Sequence, residues 1–119
     1  LLHAEVQSIA ERMQTVHMDS KQYLQALAAE KYPDVIYMDP MYPQRGKSAL
    51  VKKEMRYTRA LVGEDADAGE LLAIALNVAR RRVVVKRPKG AETLTDLKPN
   101  TTIASKNTRY DIYIGKKSD

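Results

Sequence analysis

The chain has 119 residues, with 20 Lys and Arg against 15 Asp and Glu and a formal net charge of +5 at pH 7. A hydrophobic fraction of 44% and a charged fraction of 29% are typical of one globular domain or part of one. No apolar run approaches the roughly 20 residues of a membrane helix, and no leader with a cleavage site indicates secretion. Without cysteine, and with only His3 and His17, neither a disulfide scaffold nor a metal site is expected. The chain starts with Leu1 rather than Met, so we expect it to be truncated at its N-terminus.

Basic residues are concentrated in two segments of the chain. Residues 44–59 hold six Lys and Arg against Glu54 alone, and residues 80–90 hold six more and no acid. An acidic stretch over 64–70 separates the two segments. This distribution favours an anionic partner such as a nucleic acid, although basic runs also occur as solvated faces.

Apolar residues at helical spacing predict four helices. The second begins at Asp19 or Ser20, either of which can cap it, and Gly63 is well placed to end the third. The predicted helices cover 1–12, 19 or 20 to 31, 48–62 and 68–79, and in the last of them the inward residues are Leu71, Leu72, Ala75, Val78 and Ala79.

Two strands are predicted from continuous apolar runs, one over 34–38 and one over 82–87. Such runs are typical of strands covered on both faces in a parallel sheet. Residues 13–18 alternate and predict a further short strand, in which His17 is expected to be packed or partly exposed. Residues 40–47 contain two prolines and a glycine and predict a loop.

The C-terminal region predicts a β-hairpin. Two segments, 101–106 and 109–114, flank Asn107-Thr108, and the alternation in the second predicts that Tyr110, Ile112 and Ile114 face the core. Helices alternating with buried strands, followed by this hairpin, predict an α/β fold whose sheet is mostly parallel with an antiparallel hairpin at its C-terminal end.

Ligands of open α/β sheets bind beyond the carboxyl ends of the strands. Asp19-Ser20, Asp39-Pro40 and Lys86-Arg87 lie at the carboxyl ends of three predicted strands. Ionised carboxylates are acceptors, which suits ribose hydroxyls or an exocyclic amine. Asp19 has an alternative role as a helix cap.

The segment Asp39-Pro40-Met41-Tyr42-Pro43 resembles the Asp/Asn-Pro-Pro-aromatic motif of amino-group methyltransferases that use S-adenosylmethionine. An aryl amine is a poor nucleophile because its lone pair is delocalised. The Asp39 side chain and the Pro40 carbonyl can accept the amine protons, and Tyr42 can stack on a flipped-out base. The alternative is a proline-rich turn after a buried strand.

A longer resemblance, from about Met13 to Gly115, is to the bacterial 16S ribosomal RNA guanine-N2 methyltransferases that act near the 3′ end of the small-subunit RNA. Its most specific part is Lys-Ser-Ala-Leu-Val-Lys-Lys-Glu-Met, which starts at Lys47. The segments that carry it are 35–43, 47–56, 82–88 and 109–113. The resemblance implies a Rossmann-like class I methyltransferase fold, S-adenosylmethionine as cofactor, the small ribosomal subunit as partner and a cytoplasmic location.

Site roles follow from the resemblance position by position. It implies cofactor contacts at Asp19, Ser20 and Asp39, and a catalytic group of Asp39, Pro40 and Tyr42. Met41 departs from the broader Pro-Pro form of the motif, but this family itself has Asp-Pro-Met-aromatic there.

The basic segments adjoin this predicted site and are assigned to RNA phosphates, which position a nucleic acid without reading its sequence. For Lys52 and Lys53 a solvated helix face is the alternative, and Arg80–Arg82 fit a helix C-terminus. The assigned residues are Lys47, Lys52, Lys53, Arg56, Lys86 and Arg87.

Two features of the family are absent from these residues. The family's glycine-rich cofactor loop after its first strand has no counterpart, since the five glycines show no G-x-G spacing, and the acidic residue after its second strand is also missing. We therefore expect residues 1–119 to be the C-terminal part of one methyltransferase domain. In the strand order 3-2-1-4-5-7-6, the strand at 13–18 would pair with one that is not present.

We expect this incomplete unit to bind the cofactor poorly and to fold robustly only with its missing N-terminal half. Two other functions stay open: a non-catalytic RNA-binding module that uses the basic edge, and an amino-methyltransferase of DNA or protein.

Overall fold

The computed structural model describes residues 2–40 and 65–116. In that part of the chain, no helix is long and apolar enough to cross a membrane. The predicted helix over 48–62, and the predicted loop from residue 41 onward, lie outside the described residues. The elements are α1 (Leu2–Glu11), α2 (Ser20–Ala26), a 3-10 helix (Ala29–Lys31), β1 (Val35–Met38), α3 (Asp65–Val78), β2 (Arg82–Pro88), β3 (Thr101–Ala104) and β4 (Thr108–Ile114).

The four strands form one sheet in the order β1-β2-β4-β3. β1 and β2 are parallel, with Tyr37 beside Val84, whereas β4 runs antiparallel to both β2 and β3. The predicted α/β fold with a C-terminal hairpin is confirmed, but the described strands form a mixed sheet rather than a mostly parallel one, since only β1 and β2 are parallel. The order corresponds to the last four strands, 4-5-7-6, of the methyltransferase order.

The core lies between one face of the sheet and α3. Leu72, Ala75, Val78 and Ala79, predicted to face inward, are buried, and Leu71 is half-buried. They pack against the strand residues that point to the same side, which are Ile36, Met38, Val83, Val85 and Tyr113.

Two predicted elements differ in the structure. Residues 13–18 form no strand and are exposed, because a strand needs a hydrogen-bonded neighbour and no described strand lies beside them. The second helix ends at Ala26 rather than Lys31, and a separate 3-10 turn covers Ala29–Lys31.

The opposite face of the sheet is open among the described residues, so these residues cover only one of the two faces of β1 that were predicted to be covered. Val35 and Tyr37 are 48% and 54% exposed. β4 also presents its other side to the core: Asp111 and Tyr113 are buried, whereas Ile114 is exposed. The register explains this, because Tyr113 lies beside the buried Val83.

We expect Gly115→Ala to lower the free energy of unfolding by about 1–3 kcal/mol. An added Cβ would overlap the Ala79 carbonyl oxygen, so the backbone would have to move. Gly90→Ala is the matched control, because nothing lies within 4 Å of its Cβ position. Urea unfolding measures both variants, and equal stability of the two would contradict this packing.

We expect Tyr113→Phe to leave stability at pH 7 unchanged or to raise it by up to about 1 kcal/mol. The buried phenol oxygen has no hydrogen-bond partner among the described residues. Burial, and then the charge of Asp111, raises the pKa of Tyr113 above its ordinary value of 10.0.

Because the raised pKa favours the neutral phenol in the folded protein, the unfolded chain ionises at lower pH than the folded one. The free energy of unfolding is therefore unaffected by this group below pH 10 and falls as the pH rises through the folded-state pKa of Tyr113. The wild type should therefore lose more stability than Tyr113→Phe above pH 10 in urea titrations. A variant that loses as much as the wild type would show that Tyr113 does not titrate in this way.

Candidate functional site

The carboxyl edge of the sheet brings Asp39 and Lys86 together. β1 ends at Met38, which pairs with Val85, and β2 continues to Pro88. Asp39 therefore follows β1 at the level of Lys86, and Lys86 Nζ lies 3.7 Å from Asp39 Oδ2. Both side chains are about half exposed, so the pair orients Asp39 without adding much stability.

This edge leaves the Asp39 carboxylate accessible to a ligand. Asp39 is exposed, and the half-buried Pro40 follows it directly. The Asp39 carboxylate and the Pro40 backbone carbonyl are therefore acceptors on neighbouring residues. The predicted stacking residue and four of the predicted RNA contacts lie outside the described residues; these are Tyr42, Lys47, Lys52, Lys53 and Arg56.

Arg87 does not fit its predicted role as an RNA contact. It is 5% exposed, and its Nε and Nη2 donate to the carbonyl oxygen of Glu92, with Nε at 2.8 Å. The alternation of β2 points Lys86 toward the open face and Arg87 toward the interior. The guanidinium therefore holds the segment after β2 in place instead of facing a phosphate.

Arg109 and Asp111 form a buried ion pair that was not predicted from the sequence. Arg109 Nε donates to Asp111 Oδ1 at 2.9 Å, and Asp111 is 1% exposed. Thr102 Oγ1 donates to the same oxygen at 3.3 Å. Two opposite charges at i and i+2 of a strand share one face, which was the available signal in the sequence. The apolar alternation of Tyr110 and Ile112 concealed it.

Asp19 caps α2, the alternative role considered for it. Its side chain accepts from the backbone N–H of Gln22 at 3.1 Å. Asp19 and Ser20 are both exposed, and among the described residues no hydrogen bond or ion pair joins either one to Asp39. A capping carboxylate has further lone pairs, so this geometry leaves Asp19 able to accept from a ligand.

An ion-pair cluster fixes α2 on α3. Lys21 binds Asp67, and its Nζ also lies 3.1 Å from Glu70 Oε2. The hydrogen bond to Asp67, and then that to Glu70, raises the pKa of Lys21 above its ordinary value. Together with the buried Leu24, these contacts hold the start of α2, and with it Asp19, against the body of the molecule.

No group of three or more His, Cys, Asp or Glu side chains that could hold a metal ion occurs within residues 2–40 and 65–116. The polar groups around the end of β1 include the Asp39 carboxylate, the Pro40 carbonyl and the Lys86 ammonium. This set suits hydrogen bonding and ion pairing with an organic ligand.

The family is shown by a model that matches residues 2–115 and is described as "Putative SAM-dependent methyltransferase". Because this match covers nearly the whole chain, the chain belongs to that family of SAM-dependent methyltransferases. Its cofactor is accordingly S-adenosylmethionine.

Similar proteins carry the name ribosomal RNA small subunit methyltransferase J. The one from Thioalkalivibrio sulfidiphilus is 57% identical over 108 residues, which are 91% of this chain and 42% of that protein. The one from Cellvibrio japonicus is 53% identical over 113 residues, again 42% of its length. The chain thus spans about two fifths of the length of these curated relatives.

A solved structure shows the same fold. The crystal structure of a SAM-dependent methyltransferase from Neisseria gonorrhoeae superposes with a TM-score of 0.71 at 35% sequence identity. The match covers 97% of this chain and 43% of that one. The sheet described above is therefore part of an incomplete Rossmann-like methyltransferase fold.

The carboxylates Asp39 and Asp19, both predicted as cofactor contacts, each have the chemistry to bind part of this cofactor. Each is exposed and can accept from a ribose hydroxyl or the ammonium of the methionine part. The sulfonium also makes the cofactor locally cationic, which suits a contact with a carboxylate. The predicted contact at Ser20 places a hydroxyl next to Asp19.

We expect Asp19→Asn to preserve stability within about 0.5 kcal/mol, because Asn caps a helix as well as Asp does. The lost charge should weaken S-adenosylmethionine binding roughly tenfold, as expected for a hydrogen bond to a charged group. Calorimetric titration of the full-length protein measures the affinity, with Asp34→Asn as the control. An unchanged affinity would leave Asp19 as a cap alone.

Proposed function

We propose that the chain is the C-terminal part of a methyltransferase domain that methylates the exocyclic N2 amine of a guanine in 16S ribosomal RNA of the small subunit, in the cytoplasm. The observation that carries the proposal is the exposed Asp39 carboxylate beside Lys86, at the carboxyl edge of a methyltransferase sheet. The names of the relatives support the ribosomal substrate, and the Asp39-Pro40 motif supports an amine as acceptor.

In this proposal Asp39 orients the target amine. Its carboxylate and the Pro40 carbonyl accept the two amine protons, so the nitrogen lone pair is directed toward the methyl group. When bound, S-adenosylmethionine would supply a methyl group on a sulfonium that leaves as a neutral thioether, and the methylated amine would release one proton to water with little base assistance. Tyr42 is assigned to stacking on the target base.

Lys86 has a second part in this arrangement. Its ammonium lies 3.7 Å from Asp39 Oδ2, so one carboxylate oxygen faces Lys86 and the other stays available to the amine. As a half-exposed cation at the edge, Lys86 also keeps its proposed role as a contact for RNA phosphate.

We also propose that the remainder of the domain covers the open face of the sheet. Val35, Tyr37, Ile103 and Ile114 lie on that face and are each about half exposed or more. Exposed apolar surfaces of this kind mark sites of contact with other protein segments. The relatives are more than twice as long as the match, so they have further residues that could make this contact. The glycine-rich cofactor loop is assigned to that remainder.

The test is methyl transfer from labelled S-adenosylmethionine to undermethylated small ribosomal subunits, with the full-length protein beside the 119-residue segment. Label on guanine N2 with the full-length protein, and none with the segment alone, supports the proposal. Label on another nucleotide would refute the guanine assignment. RNA binding without any label would favour the non-catalytic module.

We expect Asp39→Ala in the full-length protein to lower kcat by roughly 100-fold or more, the loss typical of removing one transition-state contact. Thermal unfolding should be unchanged, because the side chain is exposed. Asp34→Ala is the matched control, since Asp34 is an exposed carboxylate at the opposite end of the same strand. Normal turnover by Asp39→Ala would remove Asp39 from the reaction.

A further inference from the structure

Two lysines outside the predicted RNA contacts lie at the carboxyl edge of the sheet. The backbone N–H of Lys89 donates to the Asn107 carbonyl at 3.1 Å, directly beyond the pair formed by Pro88 and Thr108. This bond ties the segment after β2 to the turn between β3 and β4, which carries Lys106. We name Lys89 and Lys106 the lysine tip.

Arg109 holds the backbone of the segment that carries Lys89. Its Nη1 donates to the carbonyls of Lys89, at 2.9 Å, and of Ala91, whereas Nε and Nη2 donate to the buried Asp111. The charge of Arg109 is therefore paired with Asp111, and its remaining N–H groups donate to backbone carbonyls. This buried support fixes the course of the segment that carries Lys89.

Unlike Arg109, the two lysines of the lysine tip are available to bind a partner. Lys89 and Lys106 are both exposed, and neither side chain makes a hydrogen bond or ion pair with the described residues. Strand register places them at the edge where Asp39 follows β1. The edge thus presents exposed ammonium groups at the same end of the sheet as the carboxylate assigned to the target amine.

We propose that the lysine tip binds the phosphate backbone of the RNA substrate beside the target nucleotide. The inference rests on the proposed function, because it takes Asp39 as the point where the base is placed. A lysine ammonium contacts phosphate as a point charge and reads no sequence, so it suits a positioning role. Arg87, by contrast, is committed to the interior.

The chain offers a matched control at the opposite edge. Lys98 and Lys116 are exposed, and Asn100 and Gly115, near them in sequence, lie at the far end of the sheet. Asn100 Oδ1 accepts from the backbone N–H of Ile114, and Gly115 donates to the Arg81 carbonyl. The double variants Lys89→Gln/Lys106→Gln and Lys98→Gln/Lys116→Gln therefore change the net charge equally at opposite edges.

The experiment measures binding of the full-length protein to small ribosomal subunits by fluorescence at several salt concentrations, followed by methyl transfer. We expect Lys89→Gln/Lys106→Gln to weaken subunit binding roughly tenfold and to reduce the slope of log affinity against log salt by about 2. S-adenosylmethionine affinity and kcat at saturating subunit should not change. The opposite-edge variant should behave as the wild type.

An equal loss in both double variants, or no loss in Lys89→Gln/Lys106→Gln, would overturn the proposal. Thermal unfolding of the variants excludes misfolding as the cause. If the wild type binds subunits without methylating them, the proposed enzyme function fails, while the binding comparison still decides the role of the lysine tip.

Discussion

The pairing of β2 with β1 on one side and β4 on the other is the constraint on which the rest of the structure depends. Its parallel register with β1 sets Asp39 beside Lys86, and its antiparallel register with β4 sets Pro88 beside Thr108. β2 therefore brings three features to one edge of the sheet: the carboxyl end of β1, the segment that follows β2, and the turn between β3 and β4. A one-residue slip would turn Lys86 into the core and Arg87 outward.

Burial of charge at this edge follows from the same register. Arg87 and Arg109 are neighbours across β2 and β4 on the core face, next to Asp111. Burying charged groups costs desolvation free energy. Here the two guanidiniums also fix the conformation of a loop, because both donate to backbone carbonyls between Lys89 and Glu92. The segment approaches α3 so closely that a Cβ on Gly69 would lie 3.1 Å from the Leu94 carbonyl oxygen.

Much of the fold was predictable because its signals are local. The spacing of Leu72, Ala75 and Ala79 predicts α3, and the apolar run around Val84 predicts β2; both are confirmed. The strand at 13–18 failed because a strand is stabilised by its neighbour, which is not among the described residues. In the same way, Tyr110 and Ile112 have the pattern of a core face, yet β4 turns the other side inward.

The sequence by itself determined the class of protein and the chemistry available to it: the Asp39-Pro40 motif, the basic segments and the helix and strand periods are properties of neighbouring residues. Only the tertiary structure decided which charges are exposed and which are buried. Lys86 and Arg87 are adjacent and alike in sequence, but one meets Asp39 at the edge and the other is buried. The reason is that side chains alternate across a strand, and the side that becomes buried is chosen by the elements that pack on the sheet.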